Sequence, residues 1–396
     1  MSTMERVRAW RGPALFSYGF RPFFFLAGLW AALAMGLWLA VLTGHGPLAS
    51  RFDPFTWHAH EFVFGYVSAV IAGFLLTAVP NWTGRLPVVG WPLAGLTALW
   101  IAGRGSIAFS EALPPLATAL VDLSFGAALL FFLAREIIIG RNWRNLPVLT
   151  MLLLIVAANA LFHAMAARGV TASENPGLRL ALAAEVMLMA LIGGRIIPSF
   201  TRNWLAQKRY TQFPAPAGRF DQIVLAVTAL ALLAFVVAPG ASITAPLMLA
   251  AGLANLARLM RWQGQLTLAE PLLSVLHLGY ALLALGFLSV AAASAGYIAM
   301  PGALHVWLAG AIGVMTVAVM TRATRGHTGR QLTAPFSTTL IFLLLVASAA
   351  LRLVAALAPS FTEWGWTLAA LAWIAGFGLY VATYGPMQLG AAPARA

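Results

Sequence analysis

The feature that most constrains this chain is the recurrence of long apolar runs joined by short polar segments. Each run is about 20 residues long, which is the length a helix needs to cross roughly 30 Å of hydrocarbon. A lipid-embedded backbone must satisfy its own hydrogen bonds, so runs of this length predict transmembrane helices. They predict an all-α polytopic membrane protein with a single transmembrane domain over residues 1–396. The twelve runs are residues 22–43, 58–80, 89–107, 113–136, 146–168, 177–198, 220–239, 243–260, 269–293, 301–322, 336–358 and 364–384.

The distribution of charge indicates a membrane topology and excludes a nucleic-acid footprint. Hydrophobic residues make up 61% of the chain and charged residues 9%, and the formal net charge is +13. Only five basic residues fall on one side of the predicted membrane: Arg51, Arg104, Arg168, Arg179 and Arg352. All the remaining Lys and Arg residues, including Arg6, Arg8 and Arg395, fall on the other side. By the positive-inside rule, the richer side is cytoplasmic. We therefore expect both termini in the cytoplasm, the lipid bilayer as partner and no bound nucleic acid.

Cysteine is absent from the sequence. Disulfides, thiolate copper sites, iron–sulfur clusters and covalently attached c-type haem are therefore excluded. A bound metal has to use His, Met, carboxylate or backbone ligands, which makes the seven histidines the natural candidates.

Two histidines and a carboxylate stand at the mouth of the second apolar run. His58, His60 and Glu61 are costly there because polar groups in hydrocarbon lose their water partners. A metal is the partner that we expect, as half of a haem or copper site. Residues two apart point in different directions on a helix but to one side of an extended segment. His58 and His60 therefore either serve two different sites or chelate one metal from a loop. The alternative without a metal is an interfacial polar cluster. Glu61 could orient one of the two imidazoles.

Three further histidines fall inside predicted helices. At 1.5 Å per residue, His163 lies about 8 Å from the outer end of helix five, with Asn159 one turn below it. His305 lies about 6 Å below the outer surface on helix ten, whereas His277 lies deeper on helix nine. We expect His58, His60, His163 and His305 to converge on one metal layer near the outer face. His277 is a candidate for a second site.

Helix six carries two ionisable residues inside the membrane. Glu185 is predicted at mid-membrane, where it could relay protons, or be protonated and structural, since desolvation favours the neutral form. Arg195 could pair with Glu185 or with a haem propionate. Two other histidines fall outside the helices: we interpret His45 as a solvated loop residue and His327 as a cytoplasmic loop or partner site.

A short pattern recurs at an interval of four helices. Helices two, six and ten each end on the inner side with small residues, threonines and a terminal arginine, at Arg85, Arg202 and Arg325. This interval is consistent with three units of four helices, although small residues are common in membrane helices.

The quoted segments resemble the NnrS family of nitric-oxide-response membrane proteins. The matching stretches are residues 19–24, 57–61, 80–84, 193–204 and 325–330, so the resemblance covers nearly the whole chain, and the double His of helix two is its specific motif. The resemblance implies a polytopic protein that contains haem and copper and protects cells against nitric oxide. By that resemblance His58 and His60 are metal-ligand candidates.

The architecture is also similar, more weakly, to the catalytic subunits of haem–copper oxidases and nitric oxide reductases. Those proteins have twelve helices in three arcs of four and hold a haem between histidines on helices two and ten, as His58 or His60 and His305 would do. Helices six and seven of this chain lack the histidines that hold the second metal in that family. A catalytic metal would need His163, His277 or the spare helix-two histidine.

Three function classes follow from these observations. The first is an oxidoreductase of the bacterial inner membrane that reduces nitric oxide at haem b, with copper beside it and electrons from membrane quinol. The second is a haem or copper sensor or assembly factor without turnover. The third is a transporter, for which Asp122 and Glu185 are intramembrane carboxylates but no inverted repeat is evident.

Overall fold

In the computed structural model, the chain forms twelve long helices; Glu5 and residues 9–46 and 48–390 are described. Arg6, Arg8 and Arg395 lie outside this range. Ten helices are long and apolar enough to cross a membrane. The others are α3, which carries Arg104, and α8, with 17 residues. The all-α, twelve-helix prediction is confirmed. The helices are α1 Phe20–Leu42, α2 Pro54–Thr83, α3 Trp91–Ala108, α4 Pro115–Ile139, α5 Leu146–Ala166, α6 Pro176–Gln207, α7 Arg219–Val237, α8 Thr244–Met260, α9 Pro271–Ser294, α10 Met300–His327, α11 Phe336–Leu357 and α12 Thr362–Leu389.

Helix α2 begins four residues before the apolar run that predicted it. Asp53 caps its first turn, because Asp53 Oδ1 accepts hydrogen bonds from the backbone N–H groups of Phe55 and Thr56 at 3.0 and 3.1 Å. The helix ends at Thr83, and the next residue, Gly84, has a φ of 69°, in the left-handed region that favours glycine. His58 and His60 are therefore both helical, and the loop-chelate interpretation is wrong.

Two helices contain a widened π-helical turn, and both turns start directly after a histidine. In α2 the turn covers Glu61–Val67 and follows His60, and in α10 it covers Val306–Ile312 and follows His305. A π turn holds one more residue than an α turn and leaves carbonyls less well paired. Trp100 Nε1 donates to the Gly65 carbonyl at 3.0 Å. Helix α6 is α-helical throughout Pro176–Gln207, so this feature relates α2 only to α10.

Several helices extend beyond the predicted runs at their C-terminal ends. Helix α6 continues through Pro198 to Gln207, and α10 continues to His327 instead of ending near residue 322. Hydropathy marks where the chain is apolar, whereas a helix continues wherever backbone bonds and packing allow it. The histidine that we assigned to a loop, His327, thus lies at a helix end.

The chain divides into two compact units. The first comprises Met1–Leu182, Ala323–Gln331 and Phe377–Ala396. Its distant segments are joined by buried polar contacts: Arg21 Nη1 donates to the carbonyls of Gln388 and Gly390 at 3.1 and 2.6 Å. Gln388 Nε2 in turn donates to the Tyr380 hydroxyl at 2.7 Å. These bonds tie the start of α1 to the end of α12.

The second unit comprises Ala183–Arg322 and Leu332–Gly376. Its interior contains a polar network around Arg258, which donates to Asp221 Oδ1 at 2.9 Å, and to the Ala190 carbonyl and the Tyr280 hydroxyl at 3.0 Å. The Tyr280 hydroxyl donates to Asn255 Oδ1 at 2.7 Å. Such a network stabilises a buried charge only because its members are paired. The arrangement of helices in three arcs of four stays a prediction.

Candidate metal centre

The candidate site is built around His60, which is completely buried on α2. His60 Nδ1 lies 3.0 Å from Glu61 Oε1. His60 Nε2 lies 3.2 Å from Asp122 Oδ2 and 3.3 Å from Asn159 Oδ1. The contact with Glu61 is the orienting interaction that the sequence led us to expect. Since both ring nitrogens face polar groups, the imidazole is held in one orientation.

Helices α4 and α5 supply the facing side chains. Asp122 Oδ2 lies 3.1 Å from His163 Nε2 and accepts a hydrogen bond from Asn159 Nδ2 at 2.7 Å. Asn159 and His163 are four residues apart and therefore share one face of α5. The structure thus brings His60 and His163 together, with ring centroids 5.2 Å apart, and adds Asp122 between them.

Arg104 of α3 joins the two carboxylates. Its Nη1 donates to Glu61 Oε1 at 2.5 Å, and its Nη2 donates to Asp122 Oδ1. The guanidinium approaches α2 closely because Gly65 has no side chain; a Cβ there would lie 2.8 Å from Arg104 Nη1. Arg104 therefore occupies one oxygen of Asp122 and leaves the other turned toward the imidazoles. We call His60, Glu61, Arg104, Asp122, Asn159 and His163 the His60 cluster.

Aromatic rings enclose the His60 imidazole. The rings of Phe64 and Phe162 have centroids 5.2 Å from it, and the ring of Phe52 has its centroid at 5.5 Å. An apolar wall of this kind lowers the local dielectric, so each charged contact inside it is stronger than in water.

Three side chains of the His60 cluster could hold a metal ion. One ligand atom each from His60, Asp122 and His163 lies within 4.8 Å of the others, and all three residues are buried. Two imidazole nitrogens with one carboxylate oxygen suit first-row transition ions such as iron, copper and zinc. Glu61 then provides the carboxylate that commonly supports a metal-bound imidazole. The chemistry of the donor set fits a single transition-metal ion.

His58 does not join the His60 cluster. Its ring stacks on Trp38, with centroids 4.7 Å apart and planes inclined by 23°, and it also contacts the ring of Phe62 at 4.7 Å. The two helix-two histidines therefore lie in different surroundings, as expected for residues two apart on a helix.

The second unit holds the two remaining intramembrane histidines. His305 Nδ1 lies 2.6 Å from the Pro301 carbonyl, which fixes the proton on Nδ1 and presents Nε2 as the basic nitrogen. His277 Nε2 lies 2.9 Å from the hydroxyl of Thr201, and His277 Nδ1 has no hydrogen-bond partner among the described residues. Whether either histidine binds a cofactor stays a prediction.

Glu185 is buried on α6, and neither of its carboxyl oxygens has a hydrogen-bond partner in the described part of the chain. Of the two alternatives for Arg195, the ion pair with Glu185 is therefore not formed. Desolvation favours the neutral form of an isolated carboxyl group in such surroundings. A role as proton donor or as cofactor contact stays a prediction for Glu185 and Arg195.

The two histidines outside the apolar runs are at the protein surface. His45 Nδ1 lies 2.9 Å from the Thr43 hydroxyl in an exposed turn, as expected for a solvated loop. His327 packs against Phe20 and Tyr18, with ring centroids 5.5 and 5.1 Å away. His327 is the last residue of α10, and its separation from the other histidines by the membrane stays a prediction.

Sequence reasoning missed two members of the His60 cluster. Asp122 was considered only as a charge for a transporter, and Arg104 only as a basic residue near the outer face. The available signal was the cost of an ionisable group inside an apolar run, which marks it as paired or functional. That signal does not name the partner, because α2, α3, α4 and α5 meet only through tertiary packing.

Together, the fold and this site define a polytopic helical membrane protein with a buried cluster suited to a transition metal. The family model described as NnrS protein matches residues 14–391, nearly the whole chain. The chain belongs to the NnrS family, which confirms the resemblance drawn from its motifs, and membership supports a role in the response to nitric oxide. No curated protein matches the chain.

Proposed function

We propose that the His60 cluster holds a copper ion that interacts with nitric oxide in the bacterial inner membrane. One observation carries this proposal: donor atoms of His60, Asp122 and His163, from three different helices, meet within 4.8 Å in a buried position. The donor set by itself suits several transition ions. The family resemblance favours copper among them.

The side chains around the proposed ligands have separate tasks. Arg104 holds Asp122 so that Oδ2 points at the imidazoles, and Glu61 holds His60 through Nδ1. The rings of Phe52, Phe64 and Phe162 exclude water from the imidazole. Copper would supply one-electron exchange and an attachment point for a small ligand at this position. The protein residues contribute orientation, charge and a dry environment.

Haem b is proposed at His305 and not at His60. A haem ligand needs one imidazole nitrogen with open space in front of it, and Asp122 and Asn159 already stand in front of His60 Nε2. His305 instead presents Nε2 with its Nδ1 held by the Pro301 carbonyl, the arrangement usual for metal-bound imidazole.

Enzymatic turnover is the stronger form of the proposal. Two molecules of nitric oxide with two electrons and two protons give nitrous oxide and water, and a membrane hydroquinone oxidised to the quinone supplies both electrons and protons. Glu185 is the buried carboxyl group proposed to hold a proton for this reaction. The weaker form is a sensor or assembly factor with the same ligands and no nitrous oxide production.

The copper assignment predicts a specific pattern of metal loss. His60→Ala, His163→Ala and Asp122→Ala should each reduce the copper content of the purified protein by roughly tenfold, because a three-donor site loses one donor. His58→Ala is the matched control on the same helix and should keep full copper. Copper content is measured by mass spectrometry of the purified protein. Equal loss in the control, or full retention in the three variants, would contradict the assignment.

The same samples test the haem assignment and turnover. His305→Ala should remove a Soret band that the wild type and His60→Ala retain. Nitrous oxide formed from nitric oxide and a reduced quinol then separates the enzyme from the sensor. A wild-type protein with no Soret band, expressed with sufficient haem, would remove haem from the proposal and leave the copper site standing.

A further inference from the structure

With a divalent ion bound, the charges in the His60 cluster do not cancel. Glu61 and Asp122 each contribute one negative charge, and Arg104, which contacts both, contributes one positive charge. The side chains of all three are at least nine-tenths buried. With both imidazoles neutral, as metal ligation requires, the cluster carries one net negative charge. A divalent ion reverses this to one net positive charge.

A residual charge is costly in this position. The cluster lies among aromatic rings inside a membrane-spanning unit, where an uncompensated charge loses most of its hydration energy. A single negatively charged ligand would return the loaded site to neutrality. Sites that hold a metal through three protein donors usually leave a coordination position open for such a ligand.

Two further observations point to a ligand beside the cluster. Arg104 Nε donates to no acceptor among the described residues, although the atom is buried. Trp30 Nε1 is also without an acceptor in that part of the chain, and it lies near the same face of Gly65 as Arg104 Nη1. Buried donors without acceptors are rare in proteins, and these two N–H groups are free to donate to a bound ligand. Glu61 Oε2 also lies near this face of Gly65 and has no hydrogen-bond partner among the described residues. Its negative charge repels an anion placed next to it.

We infer that the His60 cluster, when loaded with a divalent ion, binds one small monoanion of the size of azide or nitrite, and that Arg104 and Glu61 set its affinity in opposite directions. Three aromatic rings lie against the His60 imidazole, which favours a small ligand over a large one. Arg104 is thus a positioning residue that also adjusts the charge of the site. This inference rests on the proposed metal site and names the class of its exogenous ligand.

Azide titration of the copper(II)-loaded protein tests the inference. Binding is read from the azide-to-copper charge-transfer band and from the change in the electron paramagnetic resonance spectrum, so activity is not needed. Glu61→Gln leaves the loaded site with one more positive charge and should tighten azide binding by about tenfold or more. Arg104→Gln makes the loaded site neutral and should weaken azide binding by a similar factor.

Arg104→Lys is the matched control. Lysine keeps the charge but cannot donate to both carboxylates in the same geometry, so an affinity within about threefold of the wild type supports a charge effect. If Arg104→Gln does not take up copper, Glu61→Gln against the wild type decides the question. Equal azide affinity in copper-loaded wild type and Glu61→Gln overturns the inference while leaving the metal site intact. A wild type that holds no divalent metal overturns the proposed function itself.

Discussion

Single residues explain how much of the site could be predicted. His60, Glu61, His163 and Asn159 were recognisable because each is a polar residue at helical spacing within an apolar run. Asp122 and Arg104 carry the same kind of signal, but their pairing depends on how α3 and α4 pack against α2. Spacing along one helix is available from sequence, whereas contact between helices distant in sequence is not.

Gly65 is the glycine of α2 against which the Arg104 guanidinium packs. An Ala side chain there would place its Cβ 2.8 Å from Arg104 Nη1 and 3.1 Å from Trp30 Nε1. We predict that Gly65→Ala displaces the guanidinium, destabilises the protein by up to about 3 kcal/mol as a disturbed buried ion pair does, and lowers copper content. Thermal unfolding in detergent and metal analysis measure the two effects.

Gly36→Ala on α1 is the control for this substitution. A Cβ at Gly36 meets no atom within 4 Å, so the change should be neutral or stabilising by up to about 1 kcal/mol through helix propensity. If Gly65→Ala changes thermal stability and copper content no more than Gly36→Ala does, the close approach of Arg104 to α2 does not contribute to stability.

At the scale of elements, hydropathy located all twelve helices but not their irregularities. Asp53 and Gly84 set the ends of α2 by capping, which a hydropathy window does not register. The π turns after His60 and His305 were also not predicted. A π turn has no composition of its own, since it results from packing that tolerates one additional residue.

The π turn of α2 predicts an unusual tolerance to deletion. Removing Phe62 should convert the Glu61–Val67 turn to regular α-helix and leave the faces on either side in place, so His60 keeps its partners. Removing Phe74 from the regular part of the same helix should rotate one side against the other by about 100°. We expect copper to be retained after the first deletion and lost after the second.

Both deleted residues are partly buried phenylalanines of α2, which makes the comparison matched. Copper content of the purified proteins is the measurement. Loss of copper after both deletions would contradict the prediction. It would show that the metal site needs the π turn itself and does not tolerate a regular α-helix there.

At the scale of the whole molecule, the orientation in the membrane stays a prediction from the arginine distribution. The chain has no cysteine, so single introduced cysteines can be labelled without background. Ser173→Cys, in the exposed segment between α5 and α6, should react with an impermeant maleimide in intact cells. Lys208→Cys, in the exposed segment after α6, should react only after permeabilisation. The reverse pattern would place both termini outside.

The bonds from Arg21 to the carbonyls of Gln388 and Gly390 have a consequence for biosynthesis. The first span to leave the ribosome acquires these partners only when the last span has been made. Until then the Arg21 guanidinium has to be solvated by water or lipid head groups at the membrane surface. In chains interrupted before residue 388, the first unit would therefore be incomplete. The unpaired Arg21 guanidinium at the membrane surface is a feature by which membrane quality control could recognise them.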